Sequence, residues 1–199
     1  MNISELICTR ISHDLIGNVG AFANAIELLE DEDGEFMSEI VSTLKSSSET
    51  LTARLKFFRT AFGMDGAHLE QNELIIKTTA DYIKTLNPNH PITFEGGLNN
   101  TRLNKLAMLA VMSVADTVIR GGSITAKSDA NSLSVSVTSP SALSAPKIQA
   151  MNDILQGHHP DNLSLYAPLF YMLQIMAPLN MKLAIKADLN TLSYTIMSS

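Results

Sequence analysis

The chain has 199 residues, 45% hydrophobic and 17% charged, a balance that excludes a disordered polypeptide and fits one large or two small globular domains. A formal net charge of −6, with only 14 Lys and Arg scattered along the sequence, excludes a nucleic-acid partner, because phosphate neutralisation needs clustered cations. Cys8 is the sole cysteine, so no disulfide framework or cysteine-based zinc site is available, and no apolar run approaches the roughly 18 residues of a membrane span.

From the start, Ile3, Ile7, Ile11, Leu15, Val19, Phe22, Ile26 and Leu29 recur at spacings of three and four, which predicts an amphipathic helix over residues 3–30. The opening MNISELICTR lacks the basic and apolar regions of an export signal, so a cytoplasmic protein without a membrane association is expected. Glu30-Asp31-Glu32-Asp33-Gly34 reads as a turn. Met37, Val41, Leu44, Leu51, Leu55, Phe58 and Phe62 then follow a heptad pattern, broken only at Ser48, and predict a second helix over 35–62. Two such helices form an antiparallel hairpin that cannot bury both stripes, so a second copy of the chain is expected to complete a dimeric four-helix bundle.

Gly63-Met64-Asp65-Gly66 punctuates the chain and predicts a boundary between domains at 1–64 and 65–199. Beyond it, helical spacing over 69–86 (Leu74, Thr78, Tyr82 and Leu86 on one face) ends before Pro88 and Pro91. Ile92–Glu95 reads as a strand, 101–119 as an apolar helix stopped by Gly121-Gly122, and 123–127 with 133–138 as a hairpin around Asp129-Ala130-Asn131. Helices near 146–156 and 163–177 and a hairpin pairing 181–187 with 191–197 complete the chain. The fold class expected is therefore α+β, a helical hairpin followed by a two-layer α/β sandwich.

The stretch Arg10-Ile11-Ser12-His13-Asp14-Leu15-Ile16-Gly17-Asn18-Val19-Gly20-Ala21 is unusual for a helix interior. At about 100° per residue, His13 lies opposite the stripe carrying Ile11 and Leu15 and so faces outward, beside Leu6, Thr9, Ile16, Gly17, Gly20 and Asn24. Each glycine costs a helix about 1 kcal/mol relative to alanine; close approach of another protein to bare backbone supplies a reason for two, with Leu6 and Ile16 as apolar contacts. A carboxylate that accepts a hydrogen bond from one imidazole nitrogen fixes the tautomer and leaves the other as the nucleophile. Asp14 is the candidate for that role, although adjacent helical residues point about 100° apart, and the plain alternative is a solvated surface histidine.

Ser12-His13-Asp14-Leu15, followed by Val19-Gly20-Ala21 and Glu27-Leu28-Leu29-Glu30, resembles the phosphoacceptor helix of bacterial two-component proteins, most closely the ChpT-type histidine phosphotransferases. The order of elements, with the helix-to-strand turn at Arg120-Gly121-Gly122-Ser123-Ile124, extends the resemblance over the whole chain. Membership implies a homodimer built on a four-helix bundle, and a second domain resembling a histidine-kinase ATPase domain in degenerate form. It implies His13 as phosphoacceptor with Asp14 beside it. The phosphoryl group would come from the receiver-domain aspartate of a hybrid histidine kinase and pass to the aspartate of a response regulator. Two positions depart from the pattern. Asn18 stands where a proline usually follows, and Gly17 stands where phosphatase-competent kinases place threonine or asparagine, which argues against hydrolysis by that route.

An ATP-using kinase would need an asparagine on the helix, an Asp-x-Gly-x-Gly turn and a glycine-rich lid. Residues 105–116 contain no asparagine, Ser139-Pro140-Ser141-Ala142 supplies neither aspartate nor glycine, and 158–163 has no glycine-rich lid, so no cofactor is expected. His158, His159 and Asp161 are too few and too local for a metal site, and Lys45, Arg54, Lys56 and Arg59 read as a solvated face. The alternative function is a noncatalytic dimeric adaptor that binds receiver or kinase domains.

Overall fold

Asn2 opens the first helix by accepting the Ser4 N–H on its side-chain oxygen at 3.1 Å, while its amide donates to Glu5, a reciprocal cap in which Glu5 sits one turn in. Helix α1 (Ile3–Asp31) runs without a proline. In this computed structural model the described residues are 2–31, 36–63 and 69–198. Residues 32–34 of the expected acidic turn, residues 64–66 of the expected boundary and His68 lie outside them.

Helix α2 (Met37–Phe62) ends where the Gly63 N–H returns to the Arg59 carbonyl at 3.0 Å. Ala21, Asn24, Ala25 and Leu28 of α1 share a groove with Phe36, Glu39, Ile40 and Thr43. Farther down, Arg54 reaches Asp14. The two helices are therefore antiparallel, as expected. Their buried faces follow the apolar spacing only in part: Phe58 is buried, and Ile3, Ile11, Leu15 and Phe62 pack against the core. Within one chain α1 buries Arg10 and Ala25, and α2 buries Ile40, Ser47, Phe57, Phe58, Thr60 and Ala61. Val19, Ile26, Leu29, Met37, Val41 and Leu55, all assigned to the apolar stripes, are exposed. The stripes hold more apolar surface than one hairpin can cover, and positions spread along both helices are left in solvent.

Helix α3 (Asn72–Lys84) buries Ile75, Thr79, Tyr82 and Ile83, a stripe one residue round from the one predicted. Tyr82 stacks on Phe57 at 3.9 Å between ring centres, which ties α3 to the lower end of α2. Strand β1 (Ile92–Leu98) is longer than expected because Gly96 and Gly97 continue it. A Cβ on Gly96 would lie 2.7 Å from Ile76 Cγ1, so glycine permits α3 to pack this close to the strand. After a short turn at Thr101–Leu103, helix α4 (Asn104–Ala115) is buried on every side, the reason its sequence is apolar all round. Gly121, at φ +65°, makes the left-handed turn into β2 (Gly122–Ser128).

Strands β2 and β3 (Ser132–Thr138) pair antiparallel, helix α5 (Ala145–Leu155) follows, and α6 (Ala167–Met176) leads to the hairpin of β4 (Met181–Ala187) and β5 (Thr191–Ser198). The sheet order is β1-β2-β3-β5-β4, with β1 parallel to β2 and the other pairs antiparallel. One face carries Ile124, Ala126, Leu133, Val135, Val137, Leu192, Tyr194 and Ile196 into the core against α4; the alternate positions of β3, such as Ser134 and Thr138, face outward. Each fully buried aliphatic side chain contributes roughly 1.5–3 kcal/mol, which makes this α4–sheet interface the structural base on which the hairpin sits. The architecture is α+β, two-layered in its second part, in agreement with the sequence reading.

Candidate functional site

His13 lies near the middle of α1 on the side away from α2, and its side chain keeps 82% of its accessible surface. Its Nδ1 is 3.5 Å from Asp14 Oδ1, the outer limit of a hydrogen bond. Thr9, Ile16, Gly17, Gly20 and Asn24 are exposed around it, with Ile16 at 68%. Leu6 is a correction. It is half-buried and packs against the core, because α1 here lies over α6 and the turn at Leu163–Tyr166, so it is not part of an open surface. An added Cβ on Gly17 or Gly20 would meet nothing within 4 Å, so nothing in this chain requires glycine at either position.

Asp14 is half-buried and held from the opposite side to His13. Its Oδ2 accepts from Arg10 Nε at 2.8 Å, one helical turn back. The rest of the Arg10 guanidinium closes on Asp116 at the end of α4, donating to Oδ2 at 2.8 Å and Oδ1 at 2.9 Å, and also to the Leu165 carbonyl at 2.7 Å. Arg10 is only 4% exposed. Burial works against its charge, but the facing carboxylates of Asp116 and Asp14 outweigh it and hold the guanidinium above its ordinary pKa. Lys147 Nζ donates to the Asp116 carbonyl at 2.5 Å, fixing the same corner from α5.

A second arginine, Arg54 of α2, donates to the Asp14 carbonyl at 2.5 Å and, through Nε and the other terminal nitrogen, to the Thr85 hydroxyl at 3.1 Å and carbonyl at 2.9 Å. The solvated face expected for Arg54 is thus replaced by a cross-link between α1, α2 and the end of α3. The Tyr82 hydroxyl lies buried beside this network with no hydrogen-bond partner among the described residues, and burial first, then the Asp116 charge, pushes its pKa up. Sequence reasoning missed Arg10 and Asp116. Arg10 carries a readable signal, the i,i+4 spacing to Asp14; Asp116 lies 106 residues away and carries none.

Elsewhere, His159 sits over Phe170 with ring centres 5.8 Å apart. Among the described residues no group of three or more His, Cys, Asp or Glu stands where it could hold a metal ion, and no helix is long and apolar enough to cross a membrane.

Comparison with known proteins bears on this arrangement. Residues 77–191 match the family described as the histidine phosphotransferase C-terminal domain. The protein phosphotransferase ChpT of Brucella abortus (strain 2308) is 32% identical over 128 residues, which cover 62% of this chain and 59% of that protein, so the match spans less than two thirds of the relative's length. A bacterial phosphotransferase solved at 1.7 Å superposes with a TM-score of 0.79 over 98% of this chain and 95% of that one at 23% identity, a likeness of fold. With the matched segment running from α3 to the start of β5, through most of the α/β layer on which Arg10 anchors the first helix, the chain belongs to the histidine phosphotransferase family.

Proposed function

We propose that the chain is a phosphoryl carrier in a two-component phosphorelay: His13 takes a phosphoryl group from a receiver-domain aspartate of a hybrid histidine kinase and passes it to the aspartate of a response regulator. The observation that carries this reading is an imidazole held in solvent with Nδ1 toward a fixed carboxylate, leaving Nε2 pointing to an incoming acyl phosphate. In the transfer the Nε2 lone pair forms the N–P bond while the acyl O–P bond breaks and the donor carboxylate leaves with the electron pair. The proton on Nδ1 stays, and Asp14 balances the charge of the phosphoimidazolium. Phosphoryl transfer asks mainly for in-line positioning, which suits so sparse a site.

Thr9, Ile16, Gly17, Gly20 and Asn24 form the docking surface in this reading, the bare backbone at the glycines admitting the receiver close to His13. The exposed apolar band of Val19, Ile26, Met37, Val41 and Leu55 supports a homodimer with a four-helix bundle, residues 1–64 serving dimerisation and transfer and 65–199 serving as a docking and positioning domain without ATP binding. Support for the last point is the filling of α4 and its surroundings by Met108, Leu109, Val111 and Met112, all fully buried. A cytoplasmic location accompanies receiver-domain partners. In the deciding assay, wild type and His13→Ala are each incubated with a phosphorylated receiver and, separately, with ATP alone. Label reaching only the wild type, and only from the receiver, is expected; equal labelling of His13→Ala would sink the proposal.

A further inference from the structure

The four groups Asp116, Arg10, Asp14 and His13 form a continuous chain from the end of α4 to the solvent. We propose that Arg10 and Asp116 are positioning residues for His13, the salt-bridged pair holding the Asp14 carboxylate so that one oxygen is tied inward and the other turned to the imidazole. The inference rests on His13 being the phosphoryl acceptor.

The geometry divides the Asp14 carboxylate between two partners. Oδ2 is occupied by Arg10 Nε at 2.8 Å, and Oδ1 is the atom facing His13 Nδ1 at 3.5 Å. Arg10 cannot swing to take both Asp14 oxygens, because its terminal nitrogens are committed to the two oxygens of Asp116 and to the Leu165 carbonyl. A guanidinium fork used on two carboxylates at once is geometrically fixed in a way a lysine ammonium is not. Burial strengthens the constraint: Arg10 is shielded from water, and the side chains of Asp14 and Asp116 each keep only 15% of their surface. Removing the Asp116 charge frees the fork to close on Asp14 with both nitrogens and draws Oδ1 off the imidazole. The α/β layer thereby acts on the acceptor histidine without touching it, through a contact that spans 106 residues of sequence.

The test uses the full chain and potassium phosphoramidate, a donor that phosphorylates histidine without a docking partner. Asp116→Asn is expected to slow uptake at His13 about tenfold, as a coupling between contacting groups does, and to lower the Nδ1–H tautomer fraction of His13 in nitrogen-15 NMR. Arg10→Lys, which keeps the cation but cannot span two carboxylates, is expected to do the same should Asp116→Asn fold poorly. Adding Asp116→Asn to Asp14→Asn should cost nothing further, since Asp116 acts through Asp14. Unchanged uptake and tautomer in both single variants, or losses that multiply in the double variant, would overturn the assignment. A wild type that takes label from phosphoramidate but none from a phosphorylated receiver would refute the relay while leaving the positioning result standing.

Discussion

His13 and Arg10 sit three residues apart on one helix and have opposite environments, and the contrast sets the chemistry. The histidine's outward direction was legible from periodicity alone, because two positions from the apolar stripe is the far side of any helix. The inward direction of Arg10 was not, since an arginine next to an apolar stripe is ordinarily solvated; only the carboxylate of Asp116, brought in by tertiary folding, makes burial tolerable. Leu6 failed for the same reason: helical angle says which way a side chain points, and another element decides whether anything covers it. Gly17 and Gly20 separate structural need from functional need. Both stand in open space on a regular helix, so Gly17→Ala and Gly20→Ala should each stabilise the chain by roughly 0.5–1 kcal/mol in urea unfolding, since alanine is the better helix former. If the bare strip is where a receiver docks, the same variants transfer more slowly from a phosphorylated receiver while uptake from phosphoramidate is unaffected. A stabilised variant with undiminished receiver transfer would remove the glycines from the docking surface.

At the level of elements, the existence and order of helices and strands are readable because most segments repeat with one period and stop near Gly, Pro or an Asp-x-Asn turn. The misreadings arose where two partners share one element. The heptad spacing predicts a single seam on α2, yet Phe58 at its lower end, with Phe57 and Ala61 beside it, is consumed by the core, while Met37 and Val41 near the turn stay exposed. The sequence predicts a strand over Ile92–Glu95; β1 runs on through Gly96, where Ile76 on α3 leaves no room for a side chain, and Gly97. The exposed upper seam is the specific support for a dimer. Val41 is 52% exposed, so Val41→Glu should hardly change the fold of a single chain but place a charge inside a bundle of two hairpins. Light scattering after size exclusion is expected to give a dimer for wild type and a shift to monomer for Val41→Glu at micromolar concentration. A monomeric wild type would refute the bundle.

For the molecule as a whole, the sequence suggests two separable parts, and the packing argues that they are not separable in stability. Phe57 is fully buried, stacked on Tyr82 of α3, and Phe58 touches both, so the lower end of the hairpin is built into the same core as α3 and α4. Arg10 adds a buried charge whose partner, Asp116, belongs to the other part. Cutting the chain after the hairpin would uncover the two phenylalanines and remove the Asp116 carboxylate and Leu165 carbonyl that hold the Arg10 guanidinium. A hairpin lacking residues 66–199 that fails to take phosphate would consequently report on folding before it reported on docking. The expectation for the intact chain is a single cooperative transition in urea at fixed protein concentration. Circular dichroism, weighted to α1 and α2, should trace the same curve as tyrosine fluorescence, whose four reporters include Tyr82, Tyr166 and Tyr194 in the core. Fluorescence that keeps its native value after the helical signal has fallen would mean that the α/β layer stands without the hairpin, and that the Arg10–Asp116 bridge joins two independent units instead of closing one.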